Sequence, residues 1–249
     1  MRVKMILSYC GTHYYGFQRQ TRHKTIQGEL EQVLSKILQE PITISGAGRT
    51  DAGVHALGQV AAFSISKTVD LGKLRYSCNR LLEKEIHIVS MEEVEESFHP
   101  RMHVKSKVYE YHISMKEHDP FLYPFHLEFF LPLDIEKMKE AIPSMLGAHD
   151  FSYFTSKKED KMNFIRTIYH VEIFSQKEEL TLRFEGDGFM RYMVRLLVGA
   201  LLEIGKGKEP VSFIHDHLDT SYLSDTCRYK APAEGLYLMK VTYEEEEKE

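Results

Sequence analysis

One stretch of the chain crowds glycines, an arginine and a carboxylate together: Gly46-Ala47-Gly48-Arg49-Thr50-Asp51-Ala52-Gly53-Val54-His55. Glycine loops of this density often cradle phosphate, but the spacing excludes the two best-known forms. A dinucleotide fingerprint needs a third glycine where Asp51 stands, and a carboxylate there repels a pyrophosphate. A P-loop opening at Gly48 needs lysine after Gly53, and Val54 follows instead. What remains is a tight loop with an acid at its tip and Arg49 two residues earlier. An Asx-type turn, in which Asp51 caps its own loop, fits the same letters. A hydrolase would pair Asp51 with a second acid across one bond. Glu110 is a candidate, as is Glu234 near the tail, but strand alternation puts Glu110 on the opposite face from Tyr109. His215-Asp216-His217 invites a metal reading, yet neighbours on a helix do not face one site. Arg195 sits amid Met, Val and Leu on a strongly apolar helix, where an unpaired charge is costly.

Hydrophobic period supplies the elements that must hold these residues. Strands are expected at Val3–Tyr9, Ile42–Ser45, Gln59–Ile65 and Ile86–Glu92. Helices are expected over 26–38, with Thr25 as N-cap, and over 71–82. That order reads β-α-β-β-α-β for residues 1–98. The second half repeats it: a strand at 104–115, a helix at 135–145, strands at 167–174 and 179–185, a helix at 189–204 and a closing strand at 236–243. A Gly205-Lys206-Gly207 stop and a short helix after Pro210 fit the same pattern. The expected fold class is therefore α+β: two ferredoxin-like units, 1–98 and 99–243, with mainly antiparallel sheets and a central cleft between them as ligand site, then an acidic tail at 244–249. The loop 116–132 is too apolar for a free linker and is expected to pack.

The 249 residues are 43% hydrophobic and 28% charged, which excludes a disordered chain, a collagen and a disulfide scaffold. No apolar run is long enough to span a membrane, and the first residues do not form a signal peptide. Three dispersed cysteines without a C-x-x-C support neither a zinc site nor a disulfide framework. A soluble cytoplasmic protein is the expectation. The net charge of −5 argues against a nucleic-acid binder when taken whole. Its distribution argues otherwise, because acid concentrates in Glu83–Glu96 and in the tail. Residues 1–49 are rich in Lys and Arg, and Arg101, Lys105 and Lys107 form a second basic cluster.

Gly48-Arg49-Thr50-Asp51-Ala52-Gly53-Val54-His55-Ala56 resembles the catalytic motif of the tRNA pseudouridine synthase A family. The resemblance runs nearly end to end. Gly11-Thr12-His13-Tyr14-Tyr15-Gly16-Phe17-Gln18-Arg19-Gln20 is similar to the family's opening loop, and Thr25–Glu31 to its first helix. Phe98-His99-Pro100-Arg101, Tyr109-Glu110-Tyr111, Met193-Val194-Arg195 and Glu234–Leu238 follow in order. The resemblance implies the pseudouridine synthase fold and an isomerase converting uridine to pseudouridine at positions 38, 39 and/or 40 of the tRNA anticodon arm. It implies a homodimer, no cofactor and no metal.

By the same resemblance Asp51 is the covalent catalyst; a carboxylate suits the task because it can add and then leave. The target base must leave its stack to be reached. Tyr109 aligns with the active-site tyrosine, whose ring can stack on the flipped uracil; a core tyrosine on an alternating strand fits it equally. Arg195 is expected to hold Asp51 ionised and oriented, or to join Arg191 in a wetted polar stripe. Arg49 is expected to contact phosphate or fill the place of the flipped base. His99 and His103 are weaker candidates for RNA contact. Asp150, Phe151 and Arg166 are expected to support structure or RNA.

Some positions depart from the family pattern: Cys10 where Asp is usual, Phe17 for Trp, Leu82-Glu83-Lys84-Glu85-Ile86 for Leu-Pro-x-Asp-Ile, and Leu196 for Asn. They mark a diverged branch. The alternative reading is a paralogue that binds or chaperones tRNA with little catalysis.

Overall fold

The computed structural model describes residues 1–156, 163–219 and 225–244. Its strands and helices are β1 (Arg2–Tyr9), α1 (Ile26–Leu38), β2 (Ser45–Gly46), β3 (His55–Ser64), α2 (Leu71–Leu81), β4 (Ile86–Val94), β5 (Val104–Ser114), β6 (Leu127–Glu128), α3 (Ile135–Ala141), β7 (Gly147–Asp150), β8 (Ile165–Gln176), β9 (Glu179–Gly186), α4 (Met193–Gly205), α5 (Phe213–Asp216) and β10 (Leu236–Tyr243). The class is α+β with mostly antiparallel strand pairing. Two compact units emerge: Met1–Lys105 with the chain from Tyr237 onward, and Ser106–Leu236.

In the first unit, β1 pairs antiparallel with β3 on one side and β4 on the other. Alternate residues Val3, Met5 and Leu7 are fully enclosed, as a one-sided sheet requires. The register against β3 shifts between Leu7 and Tyr9, a bulge beside the loop that follows. The far edge of β3 is shared. Ser45 and Gly46 of β2 pair antiparallel with Ala62 and Ala61, while Tyr237 and Leu238 of β10 pair parallel with His55 and Ala56. α1 starts where expected, with the Thr25 hydroxyl accepting from Gly28 N–H, and buries Ile26, Leu30 and Leu34. α2 is capped by Asp70, which accepts from Lys73 N–H, and buries Leu74 and Cys78.

The second unit arranges its strands β5-β9-β8-β7, every neighbour antiparallel, with β6 parallel to the end of β5. All residues of α4 except Glu203 are buried. A helix apolar on every side is an interior helix, and α4 touches both α3 and α5.

Several expectations need correction. The closing strand does not belong to a 99–243 unit: its Tyr237 and Leu238 pair with β3, and the first unit runs on to Lys105. Periodicity marks a strand but not the edge it will join. The strand expected at Ile42–Ser45 shrinks to Ser45–Gly46; Ile42 and Ile44 bury their side chains from irregular backbone instead. α4 starts at Met193 rather than 189, because Tyr192 takes a left-handed φ of 64°. The helix at 135–145 tightens into a 3-10 turn at Ile142–Met145, around Pro143. Phe129 N–H does reach Ser114 O. Yet the 116–132 segment leaves Phe121, Leu122, Tyr123, Phe125, Phe130 and Leu131 well exposed on the chain. Beyond Glu244 the expected acidic tail lies outside the described residues.

Candidate active site

Asp51 opens a tight turn closed by Val54 N–H donating to Asp51 O at 3.2 Å, with Gly53 at φ 80°. A positive φ at the third residue of a turn is why glycine stands there. The Asp51 side chain is half-buried, Ala52 beside it is exposed, and the backbone on either side is held from behind.

Three hydrogen bonds do the holding, all from the opening loop. Gly53 N–H donates to Tyr14 O at 3.2 Å, and Phe17 N–H donates to Thr50 O at 3.2 Å. Gly11 N–H donates to His55 Nδ1 at 3.2 Å. The two loops approach so closely that only glycine fits at two points. A Cβ on Gly11 would lie 2.0 Å from Val54 O, and one on Gly16, whose φ is +88°, 2.5 Å from Thr50 O. Such distances mean backbone against backbone, which cannot yield as a side chain does.

Below the turn lies a buried polar cluster. The Tyr9 hydroxyl and Thr50 Oγ1 share a hydrogen bond of 2.8 Å. Gln59, fully buried, donates to Gly48 O at 3.0 Å and reaches the Tyr9 hydroxyl at 3.4 Å. Burial pushes the Tyr9 phenol up to about 12, outweighing its hydrogen bonds from Thr50 and Gln59. His55 is buried and stacks on Tyr237 at 4.7 Å, tying the end of the motif to β10. Tyr9, Thr50 and Gln59 had no role in the sequence reading. The signal was there in Gln59, a polar residue at the head of the apolar run Val60-Ala61-Ala62-Phe63.

The positions that depart from the family pattern each sit in contacts of their own. Cys10 follows β1 half-buried, its Sγ 3.2 Å from Thr12 Oγ1. Phe17 is buried over Gly46, where a Cβ would sit 2.4 Å from its ring. Glu83 accepts from the Tyr14 hydroxyl and from Lys24. Burial and the Glu83 carboxylate raise the Tyr14 phenol well above its ordinary value, while Lys24 holds Glu83 below its own. Leu196 is enclosed in α4.

In the second unit, Tyr109 on β5 is buried, with the ring of Phe189 edge-on at 5.3 Å. Arg195 on α4 is buried too; its Nε donates to Ala231 O at 2.7 Å and its guanidinium lies 5.2 Å from the Tyr192 ring. Glu110 faces Arg183 and His112, each at 3.3 Å, so its carboxylate is engaged on the other face of β5. His217 stacks on Tyr153 at 4.2 Å, and Asp216 accepts from Ser212. Asp150 accepts from Ser152 N–H, Phe151 is fully buried, and Arg166 donates to Asn163 O and Ile165 O. Arg49, back in the first unit, is exposed beside the turn, on the rim of a groove that His99 and Arg101 also line.

Comparison with known proteins gives the family. The family model described as tRNA pseudouridine synthase matches residues 5–102 and 141–244. The tRNA pseudouridine synthase A of Thermodesulfovibrio yellowstonii is 40% identical over 255 residues, spanning 98% of this chain and 100% of that protein. The enzyme of the same name from Ligilactobacillus salivarius is 40% identical over 99% of this chain and 98% of its own. A Bacillus cereus protein called tRNA pseudouridine synthase A 1 is 37% identical over 97% of this chain and 98% of its own. The chain belongs to the tRNA pseudouridine synthase A family, and is an RNA-modifying isomerase.

Proposed function

We propose that this protein isomerises uridine at positions 38, 39 and/or 40 of the tRNA anticodon arm, with Asp51 as the covalent catalyst. The observation that carries the reading is the Asp51 turn, locked at Gly53 and Thr50 by the opening loop and presenting a half-buried carboxylate. Pseudouridine formation breaks the bond from uracil N1 to the ribose and remakes it through C5, with no change of oxidation state. A carboxylate that adds and later leaves meets that need without a cofactor. A rigid backbone keeps the nucleophile aimed while the base turns.

The uridine is flipped from its stack before reaction. Tyr109 stacks on the extruded uracil, and Arg195 and Arg49 complete the substrate-binding set. The enzyme acts in the cytoplasm as a homodimer. The exposed Phe121, Tyr123, Phe125, Phe130 and Leu131 supply apolar surface of the kind a subunit contact covers.

The test is pseudouridine mapping at nucleotide resolution on unmodified tRNA transcripts, with wild type and Asp51→Ala side by side. Wild type is expected to place new pseudouridine at 38, 39 or 40, and Asp51→Ala none while melting as wild type does. Turnover by Asp51→Ala near the wild-type rate would sink the assignment of Asp51. Tight binding without any pseudouridine from the wild type would favour the diverged tRNA-binding paralogue.

A further inference from the structure

Next to the Asp51 turn, the first unit carries an open groove of about 220 Å³. Its walls come from segments far apart in sequence: Phe17 and Gln18 of the opening loop, Ile44 before β2, Arg49 of the catalytic motif, and His99 and Arg101 after β4. The apolar members are sealed. Phe17 and Ile44 are 2% and 3% exposed, so neither offers a ring or flat face for a base to stack on. Arg49, Arg101 and Gln18 are exposed, and no carboxylate lines the groove.

The His99–Arg101 segment is held firmly. The Tyr243 hydroxyl donates to Pro100 O at 2.8 Å, and the Phe98 ring lies 5.2 Å from the Tyr243 ring. His99 Nδ1 accepts from Arg101 N–H at 3.2 Å and Met102 N–H at 3.4 Å. A neutral ring accepting at Nδ1 carries its proton on Nε2. The imidazole therefore offers Nε2 as a donor in the groove that Arg49 and Arg101 also line. Arg49 is anchored from behind through its neighbours, since Gly48 O takes the Gln59 amide and Thr50 packs on Tyr9.

Two exposed guanidiniums, no carboxylate among the lining residues and a sealed Phe17 ring favour an anion over a base as the occupant. We infer that Arg49, His99 and Arg101 form a clamp for a backbone phosphodiester of the RNA, close to the nucleotide being modified and indifferent to sequence. This rests on the reading of Asp51 as the catalyst of a tRNA isomerase, and it adds the subsite that holds the strand while one base is out. Two guanidiniums on one phosphodiester resist its displacement as the backbone rotates around the extruded nucleotide.

Salt dependence tests it. For every phosphate that a variant no longer neutralises, the slope of log affinity against log salt becomes shallower by roughly 0.7 to 0.9. Binding of the full-length protein to tRNA transcripts is measured between about 50 and 200 mM salt for wild type, Arg101→Gln, and Arg49→Gln with Arg101→Gln. Lys73→Gln, which removes one exposed charge from α2 (its side chain is 87% exposed), is the control. Arg101→Gln is expected to show the shallower slope, with a deficit about threefold larger at low salt than at high. The double variant should bind more weakly still, and Lys73→Gln should match wild type. Wild-type slopes in both arginine variants would overturn the clamp. A deficit confined to one of two anticodon arms differing in flanking sequence would overturn it too, in favour of base readout. Pseudouridine mapping of the same wild-type samples reads the catalytic assignment separately. Its failure leaves the slopes to decide the clamp.

Discussion

Gly11→Ala adds one methyl group and leaves every ionisable residue in place, yet it should disable the enzyme. The added carbon would stand 2.0 Å from Val54 O and 2.6 Å from Val54 C. For the contact to relax even to 3.0 Å, the Val54 carbonyl must retreat by about 1 Å. Val54 closes the Asp51 turn through its own N–H, so the turn moves with it. Overpacking of this kind costs about 1–3 kcal/mol, which for a chain of this size is a fall in melting temperature of roughly 2–12 °C. A misplacement of about 1 Å costs on the order of 100-fold in rate. Single-turnover pseudouridine formation at saturating enzyme should therefore fall about 100-fold, in a protein still folded at the assay temperature. Gly207→Ala is the matched control. Its φ is +67° and nothing lies within 4 Å of the added carbon, so it carries about 1–2 kcal/mol of left-handed strain and should react at the wild-type rate. A Gly11→Ala enzyme within about threefold of wild type, under about 1 kcal/mol of barrier, would refute the idea that loop-to-loop contact aims Asp51.

Two further outcomes follow from buried groups. Tyr9 has its phenol raised from 10.0 to about 12 by burial; a raised value stabilises the fold fully below about pH 10 and loses that stabilisation as pH climbs to about 12. Wild type should thus lose up to roughly 2–3 kcal/mol relative to Tyr9→Phe across that window in chemical denaturation, and a constant difference from pH 8 to 12 would contradict it. Arg195→Met removes the donor to Ala231 O and should cost about 1–3 kcal/mol. Arg195→Lys should not restore it, since an ammonium lacks the fixed fork of the guanidinium; calorimetric melting points equal to wild type would show that this bond does not support α4.

Much of the scaffold was legible because its causes are local. α1 and α2 begin at capping side chains, Thr25 and Asp70, one residue ahead of an apolar stripe. β1 and β9 declare themselves by alternation, and α4 by being apolar on all sides. The candidate site was read in another way, through a run of motifs in order, which offers Asp51, Tyr109, Arg195 and Arg49 as expectations. What those motifs did was less visible. The opening loop reads as a string of letters until Gly11 and Gly16 are seen pressed against the backbone of residues 50–54. Tyr192 looked like part of the following helix because side-chain period carries no record of a left-handed φ.

By itself, the sequence determined the α+β class, the family, and the identity of the residues with chemistry to offer. These depend on spacing within one segment and on which side chains are present. Only the tertiary structure decided which edge β10 would join, how the Asp51 turn is braced by Tyr9, Thr50 and Gln59, and that Arg49 shares a groove with His99 and Arg101. Most of these join residues about 40 or more positions apart. Hydrogen-bond pairing and close packing between distant segments select among many alternatives of equal local merit. The choice is made only when the whole core closes around them.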